Sequence, residues 1–272
     1  MISLANHQTT SNSGFTLNLP RKYRPRNLGE IRGQAEAVRV LNRFASAARN
    51  DSTPAAFLFH GPSGVGKTAA AWALAMALGC DPAEPEMSGV IEIPSGQQDG
   101  TSVRQLLDTL RLRPLMGSGW KVAIVNEADN MTAQAEAIWL DGLEKLPPKT
   151  IVIFTTNNTG KLSGRLATRA LALEFNGCPK RLRRSMVDLA REVWQRETGN
   201  KLVAVPDGLG VMNSLFPTAS FRLALQQLAG YIATGKLPTE SAACETRESA
   251  CSDGSSAAKK AWETRRRKAP KV

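Results

Sequence analysis

Short apolar runs alternate along this chain with longer stretches of helical spacing. The runs are Phe57–Phe59, Val90–Ile93, Val122–Val125, Ile151–Thr155 and Leu171–Phe175. Each is too brief for a helix and suits a strand buried on both faces of a parallel sheet. Between them, Ile31–Ala48 places Ala35, Val38, Leu41, Ala45 and Ala48 at nearly helical spacing. Thr68–Leu78 is rich in Ala and Leu and is closed by Gly79. Val103–Leu110 and Ala133–Leu143 also read as helices, and Pro147 and Pro148 stop the second. Strands alternating with helices predict an α/β fold, a central parallel sheet flanked by helices on both faces.

After Cys178 the strand pattern fades. Leu182–Gln195, with Met186, Leu189, Ala190 and Val193 on one face, and Ala219–Tyr231 predict a small all-α domain. Beyond Pro238 the periodicity vanishes among Ser, Ala, Glu and Thr. The expected organisation is therefore a flexible arm at 1–15, an α/β domain at 16–177, a helical domain at 178–238 and a disordered basic tail at 239–272.

Composition adds limits. With 42% hydrophobic and 22% charged residues in 272, the chain can build a core without disulfides or structural metals. Cys80, Cys178, Cys244 and Cys251 form no C-x-x-C pair and no zinc spacing, which predicts free thiols in a reducing, cytoplasmic setting. No apolar run is long enough for a membrane span, and Met1–Gly14 lacks the apolar core of a secretory signal. The net charge of +11 is uneven. Lys259, Lys260, Arg265, Arg266, Arg267, Lys268 and Lys271 stand against Glu263 alone, so more than half of the excess lies in the tail. Lys180, Arg181, Arg183 and Arg184 form a second cluster. Such clusters suit a polyanionic partner such as DNA, an acidic protein partner, or a merely solvated face.

One motif carries chemistry outright. Gly61-Pro62-Ser63-Gly64-Val65-Gly66-Lys67-Thr68 matches G-x-x-x-x-G-K-[ST] in full, with a predicted strand before it and a helix after it. The glycines let backbone N–H groups curl around phosphates, and the helix aims its positive end at them. Lys67 offsets charge on the β- and γ-phosphates, and the Thr68 hydroxyl can reach Mg²⁺. The expected ligands are ATP and Mg²⁺. The strand Val122–Val125 then delivers Asn126 and Glu127 to its C-terminal end, where ligands bind in open α/β sheets. Glu127 suits a general base for an attacking water. Asn126 stands where an Asp would help to hold Mg²⁺, so metal affinity should fall.

Together these residues resemble the AAA+ ATPases, and among them the small ATPase subunits of sliding-clamp loaders, over roughly Leu19 to Pro238. The resemblance implies a P-loop NTPase domain followed by a small all-α lid. Leu19-Pro20-Arg21-Lys22-Tyr23-Arg24-Pro25 resembles the family's opening, which implies that Tyr23 and Arg24 lie by the nucleotide. Ile31-Arg32-Gly33-Gln34 resembles its next stretch, and Asn126-Glu127-Ala128-Asp129 stands in place of Asp-Glu-Ala-Asp. Asn157 is similar to sensor 1, Arg169 in Thr168-Arg169-Ala170 to the arginine finger given to a neighbouring subunit, and Arg222 in Ala219-Ser220-Phe221-Arg222 to sensor 2. Arg165 is read as a surface residue. The chain departs from the family in Asn126, in both flanks of Arg169, in lacking the zinc module some members carry, and in having a basic tail instead of the collar domain.

The expected function is an ATP-hydrolysing AAA+ ATPase. It would be a homo- or hetero-oligomer with other AAA+ subunits that remodels a DNA-associated partner in replication, repair or mobile-element maintenance. Two alternatives stay open. One is an ATP-binding switch or scaffold with little hydrolysis, motivated by Asn126. The other is a helper ATPase for a mobile element or for helicase loading.

Overall fold

The computed structural model describes residues 18–199 and 219–234. Five parallel strands form one sheet: β1 (Ala55–His60), β2 (Val90–Ile93), β3 (Lys121–Val125), β4 (Thr150–Thr156) and β5 (Leu171–Glu174), in the order β2-β3-β4-β1-β5. Helices α1 (Leu19–Lys22), α2 (Ala35–Ala47), α3 (Lys67–Ala77), α4 (Gly100–Thr109), α5 (Ala133–Glu144), α6 (Gly164–Arg169), α7 (Pro179–Thr198) and α8 (Phe221–Thr234) complete the described residues. The α/β fold and the helical C-terminal region are as the hydrophobic pattern predicts. The basic tail and the N-terminal arm lie outside the described residues.

The alternation along each central strand sorts side chains to two cores. Phe57, Phe59, Val122, Ile124, Ile151 and Ile153 face α2 and α3. Leu58, Ala123, Val125, Val152 and Phe154 face α4, α5 and α6. Phe44 of α2 meets Phe57 edge to face at 5.1 Å, and Trp139 of α5 meets Phe154 in the same way at 5.1 Å. Both strand faces are thus buried, which is why the strand sequences read as apolar runs.

Several element ends differ from the pattern's prediction, each for a local reason. β1 begins at Ala55 and ends at His60, two residues wider than its apolar centre on the N-terminal side. α2 starts only at Ala35, because Gly33 takes a left-handed φ of 73° in the turn before it. α4 starts at Gly100 rather than Val103, because the Asp99 carboxylate caps the Thr101 and Ser102 amides. Thr132 caps α5 through the Ala135 amide at 3.1 Å. Helix α7 is longer than its apolar face, beginning with Pro179 at its first position. The short helices α1 and α6 carry too few turns to show a period.

The lid has its own small core of Leu19, Ala190, Val193, Leu225, Leu228 and Ala229. It therefore takes in α1, which the sequence grouped with the larger domain. Glu197 fastens that contact: Tyr23 donates to its Oε1 at 2.6 Å and Lys22 Nζ pairs with it at 2.7 Å. The chain leaves β1, crosses to the far edge at β2, and returns through β3 and β4 beside β1. That change of direction brings the C-terminal ends of β1, β3 and β4 together at one edge, where such folds bind ligands.

Candidate nucleotide-binding site

The loop after β1 owes its path to glycine. Gly61, Gly64 and Gly66 have φ of 143°, 79° and 104°. A Cβ on Gly61 would come within 2.3 Å of the Phe175 carbonyl oxygen, and one on Gly64 within 2.0 Å of Ser220 Oγ. The loop is thus pressed between the segment after β5 and the start of α8. The Phe221 amide donates to the Gly64 carbonyl at 2.9 Å, so the lid touches the P-loop main chain directly. Gln34 ties the same loop to the segment after β5: its Nε2 donates to the Val65 carbonyl at 3.4 Å and to the Asn176 carbonyl at 3.0 Å, and its Oε1 accepts from the Asn176 amide at 2.7 Å. Nothing in the sequence gave Gln34 this part, because a buried glutamine has no signature spacing.

Lys67 opens α3 and is 8% exposed. Its Nζ donates to Gly61 O at 2.7 Å, Pro62 O at 2.6 Å and Asn157 Oδ1 at 2.9 Å. Burial pushes its pKa down to about 8, opposed by Asp129 and Glu127 and reinforced by the positive charge of Arg222. Arg24 is lowered as well, chiefly by burial, with Glu92 opposing and Arg222 adding to the effect. Arg222 of α8 thus adds its positive charge to both Lys67 and Arg24, while Asp129 and Glu127 offset Lys67 and Glu92 offsets Arg24.

Asn157 follows β4, which lies beside β1, and Asn126 follows β3, one strand further out, so both sit at the same edge of the sheet as the P-loop. Asn126 Oδ1 accepts from Thr68 Oγ1 at 2.9 Å and from Thr155 Oγ1 at 3.3 Å. Glu127 adopts a left-handed backbone, φ 51° and ψ 53°, unusual for a residue with a side chain. Its amide donates to Thr155 Oγ1 at 3.2 Å, and Asn130 Nδ2 donates to its Oε2 at 3.3 Å. Strain of this sort is held in place only where the surroundings over-determine it.

Among the described residues no group of three or more His, Cys, Asp or Glu side chains could hold a metal ion alone. The Thr68 hydroxyl and the Asn126 amide oxygen make a two-oxygen set. That set fits Mg²⁺, which keeps water ligands and takes phosphate oxygens as the rest.

The structure therefore brings Gly61, Pro62, Ser63, Gly64, Val65, Gly66, Lys67, Thr68, Asn126, Glu127 and Asn157 to one edge, with Arg24 and Arg222 close by. Two expected residues stand apart. Tyr23 turns to α7 and gives its hydroxyl to Glu197. Burial raises that hydroxyl's pKa to about 12. Arg24, one residue on, goes the other way and lies 5.5 Å over the Trp72 ring of α3. Arg169 ends α6 and pairs with Glu144 of its own chain, at 3.0 Å from Nε and 2.6 Å from Nη2. Its partners belong to α5 and α6, not to the P-loop. Asp129, named by the sequence only within its motif, is drawn in too: it is the largest acidic influence on Lys67 and accepts from Thr156 Oγ1 at 2.8 Å.

Comparison with known proteins agrees with this geometry. The family model described as DNA polymerase III, delta subunit, matches residues 90–178. The replication factor C small subunit of Thermoplasma acidophilum is 31% identical over 160 residues, 58% of this chain and 48% of that protein. The one from Archaeoglobus fulgidus is 30% identical over 218 residues, 79% of this chain and 64% of that protein. The chain spans about half the length of most of these curated relatives. Among solved structures, RuvB of Thermotoga maritima is similar with a TM-score of 0.57 at 19% identity, covering 80% of this chain and 70% of that one. A DNA polymerase III gamma subunit-related protein from the same organism has a TM-score of 0.51 at 20% identity, over 70% of this chain and 57% of that one. At such identities these two likenesses concern the fold.

Proposed function

We propose that this chain, similar to replication factor C small subunits over as much as 79% of its length, is an AAA+ ATPase of the clamp-loader type that binds ATP with Mg²⁺ between its P-loop and its lid. We further propose that it hydrolyses ATP as one subunit of an oligomer. The observation that carries the reading is Lys67, buried at the start of α3 and held by two P-loop carbonyls and Asn157. The P-loop amides and Lys67 would take the β- and γ-phosphates, with Arg222 reaching in from the lid. Mg²⁺, when bound, supplies charge neutralisation on those phosphates, and Thr68 and Asn126 would hold it.

Glu127 is proposed as the base that orients and deprotonates the attacking water, and Asn157 as the group that senses the γ-phosphate. Arg169 is proposed to leave Glu144 and complete the site of a neighbouring subunit. An arginine supplied in this way accelerates phosphoryl transfer by ~10³–10⁵, so turnover should rise with association. The relatives named as replication factor C subunits support a partner on DNA, and we propose a cytoplasmic ATPase acting on such a partner. No described helix is long and apolar enough to cross a membrane.

The experiment is specific activity against protein concentration, for wild type, Arg169→Ala and Glu127→Gln. The wild type should gain activity as it associates, and both variants should bind ATP yet stay slow. A mixture of the two variants should recover part of the activity, because some pairings regain one intact composite site. Concentration-independent turnover in the wild type contradicts a shared site. A second reading, an ATP-binding switch with little hydrolysis, draws on the neutral Asn126 beside Thr68. Tight ATP binding without turnover at any concentration favours it.

A further inference from the structure

The side chain of Asn126 is held on its outer edge by a charge. Its Nδ2 donates to Glu92 Oε1 at 2.5 Å, while its Oδ1 faces Thr68 and Thr155. Glu92 lies on β2, the neighbour of β3, opposite Ile124 in the register. Its second oxygen accepts from Trp72 Nε1 at 3.1 Å. Trp72 in turn lies under Arg24, whose charge feels Glu92. The main chain of Asn126 is fixed independently. Its amide donates to Ile93 O at 3.1 Å, and its carbonyl accepts from the buried Gln98 Nε2. Rotation of the amide group is thus the freedom left to this side chain.

Glu92 removes it. An ionised carboxylate only accepts hydrogen bonds, so the amide edge beside it must be the NH₂. The oxygen is then turned towards Thr68. A reversed amide would point two N–H groups at a cation, which repels. The carboxylate also returns, one strand further out, the negative charge that a neutral residue at 126 lacks.

We propose that Glu92 is a positioning residue for the Mg²⁺ of a bound nucleotide: it locks the Asn126 oxygen inward and supplies the charge missing at that position. This rests on the reading of the P-loop as a Mg²⁺–nucleotide site. A competing role for Glu92, pairing with Arg24 and Trp72, makes no use of Asn126, and the test separates the two.

The test follows binding of a fluorescent, non-hydrolysable ATP analogue by the full chain, first in EDTA and then with Mg²⁺ added stepwise. Removing an outer hydrogen-bond partner of a metal ligand typically costs about 10–100-fold in metal affinity. Glu92→Gln, which keeps an acceptor but loses the charge, should raise the Mg²⁺ half-saturation ~10-fold. Glu92→Ala, which loses both, should raise it further. The double variant Asn126→Asp/Glu92→Gln moves the charge inward and should restore the requirement to wild type or below. An unchanged Mg²⁺ requirement in both single variants overturns the proposal. A double variant no better than Glu92→Gln overturns its charge component and leaves Arg24 as the partner that matters. If the wild type binds no analogue at any Mg²⁺ concentration, the P-loop reading itself fails instead.

Discussion

A buried lysine with a pKa near 8 makes Lys67 a reporter of its own ligand. Burial disfavours the charged form in the folded chain. The unfolded state therefore binds more protons between the folded pKa and the ordinary lysine value, and stability should rise with pH across that window. A phosphate beside Nζ should raise the pKa again, so binding ATP at about pH 9 should take up protons. Calorimetry in buffers of different ionisation enthalpy measures this directly, and zero uptake would place the phosphates away from Lys67. Glu127 makes a separate prediction: Glu127→Gln keeps the shape and deletes the base, so ATP should still bind while hydrolysis stops. Equal turnover would move the base elsewhere. Asn126→Asp combined with Glu92→Gln should lower the Mg²⁺ requirement of binding, since a carboxylate is the better ligand for a hard cation, whereas Asn126→Asp alone would set two carboxylates against each other where Asn126 Nδ2 now meets Glu92. At this scale the sequence was legible where a motif names its residues, as at 61–68. It was silent on Glu92, whose partners lie on other elements with no spacing along the chain to mark them, and it named Gln34 and Asp129 only within motif stretches, without giving either a part.

At the scale of elements, the seam between the P-loop and α8 is the part most open to test. Gly64 has a left-handed φ, and Ser220 leaves no room for a Cβ there. Gly64→Ala should destabilise the protein by ~1–3 kcal/mol from backbone strain alone. Adding Ser220→Gly should relieve the clash but not the strain. Full recovery to wild-type stability in urea would show that the clash was the whole effect. The strands were legible because both faces are buried, which turns β3 and β4 into near-continuous apolar runs. The start of α4 was read late because its first turn is polar and is held by the Asp99 cap. Residues 19–22 pack on the helical C-terminal region although the sequence pattern groups them with the α/β domain, since four residues carry no period and only Glu197 and the shared core reveal where they pack.

For the molecule as a whole, the basic tail is a question of charge. Seven cations between Lys259 and Val272 should contact phosphates, lowering log affinity for duplex DNA with log salt at about −0.9 per contact. Deleting residues after Pro238 should flatten that slope. Identical slopes would leave Lys180–Arg184, at the start of α7, as the candidate DNA contact. ATP binding is the more central claim, because the glycine loop, the buried Lys67 and the lid contact all point to it. Its most direct measurement is thermal unfolding with and without saturating MgATP, for wild type and Lys67→Ala. At ~100 times the dissociation constant, ATP should stabilise the wild type by roughly 2.7 kcal/mol, and the variant should not respond. An unfolding temperature that ATP leaves unmoved in the wild type, or moves equally in Lys67→Ala, would contradict the account.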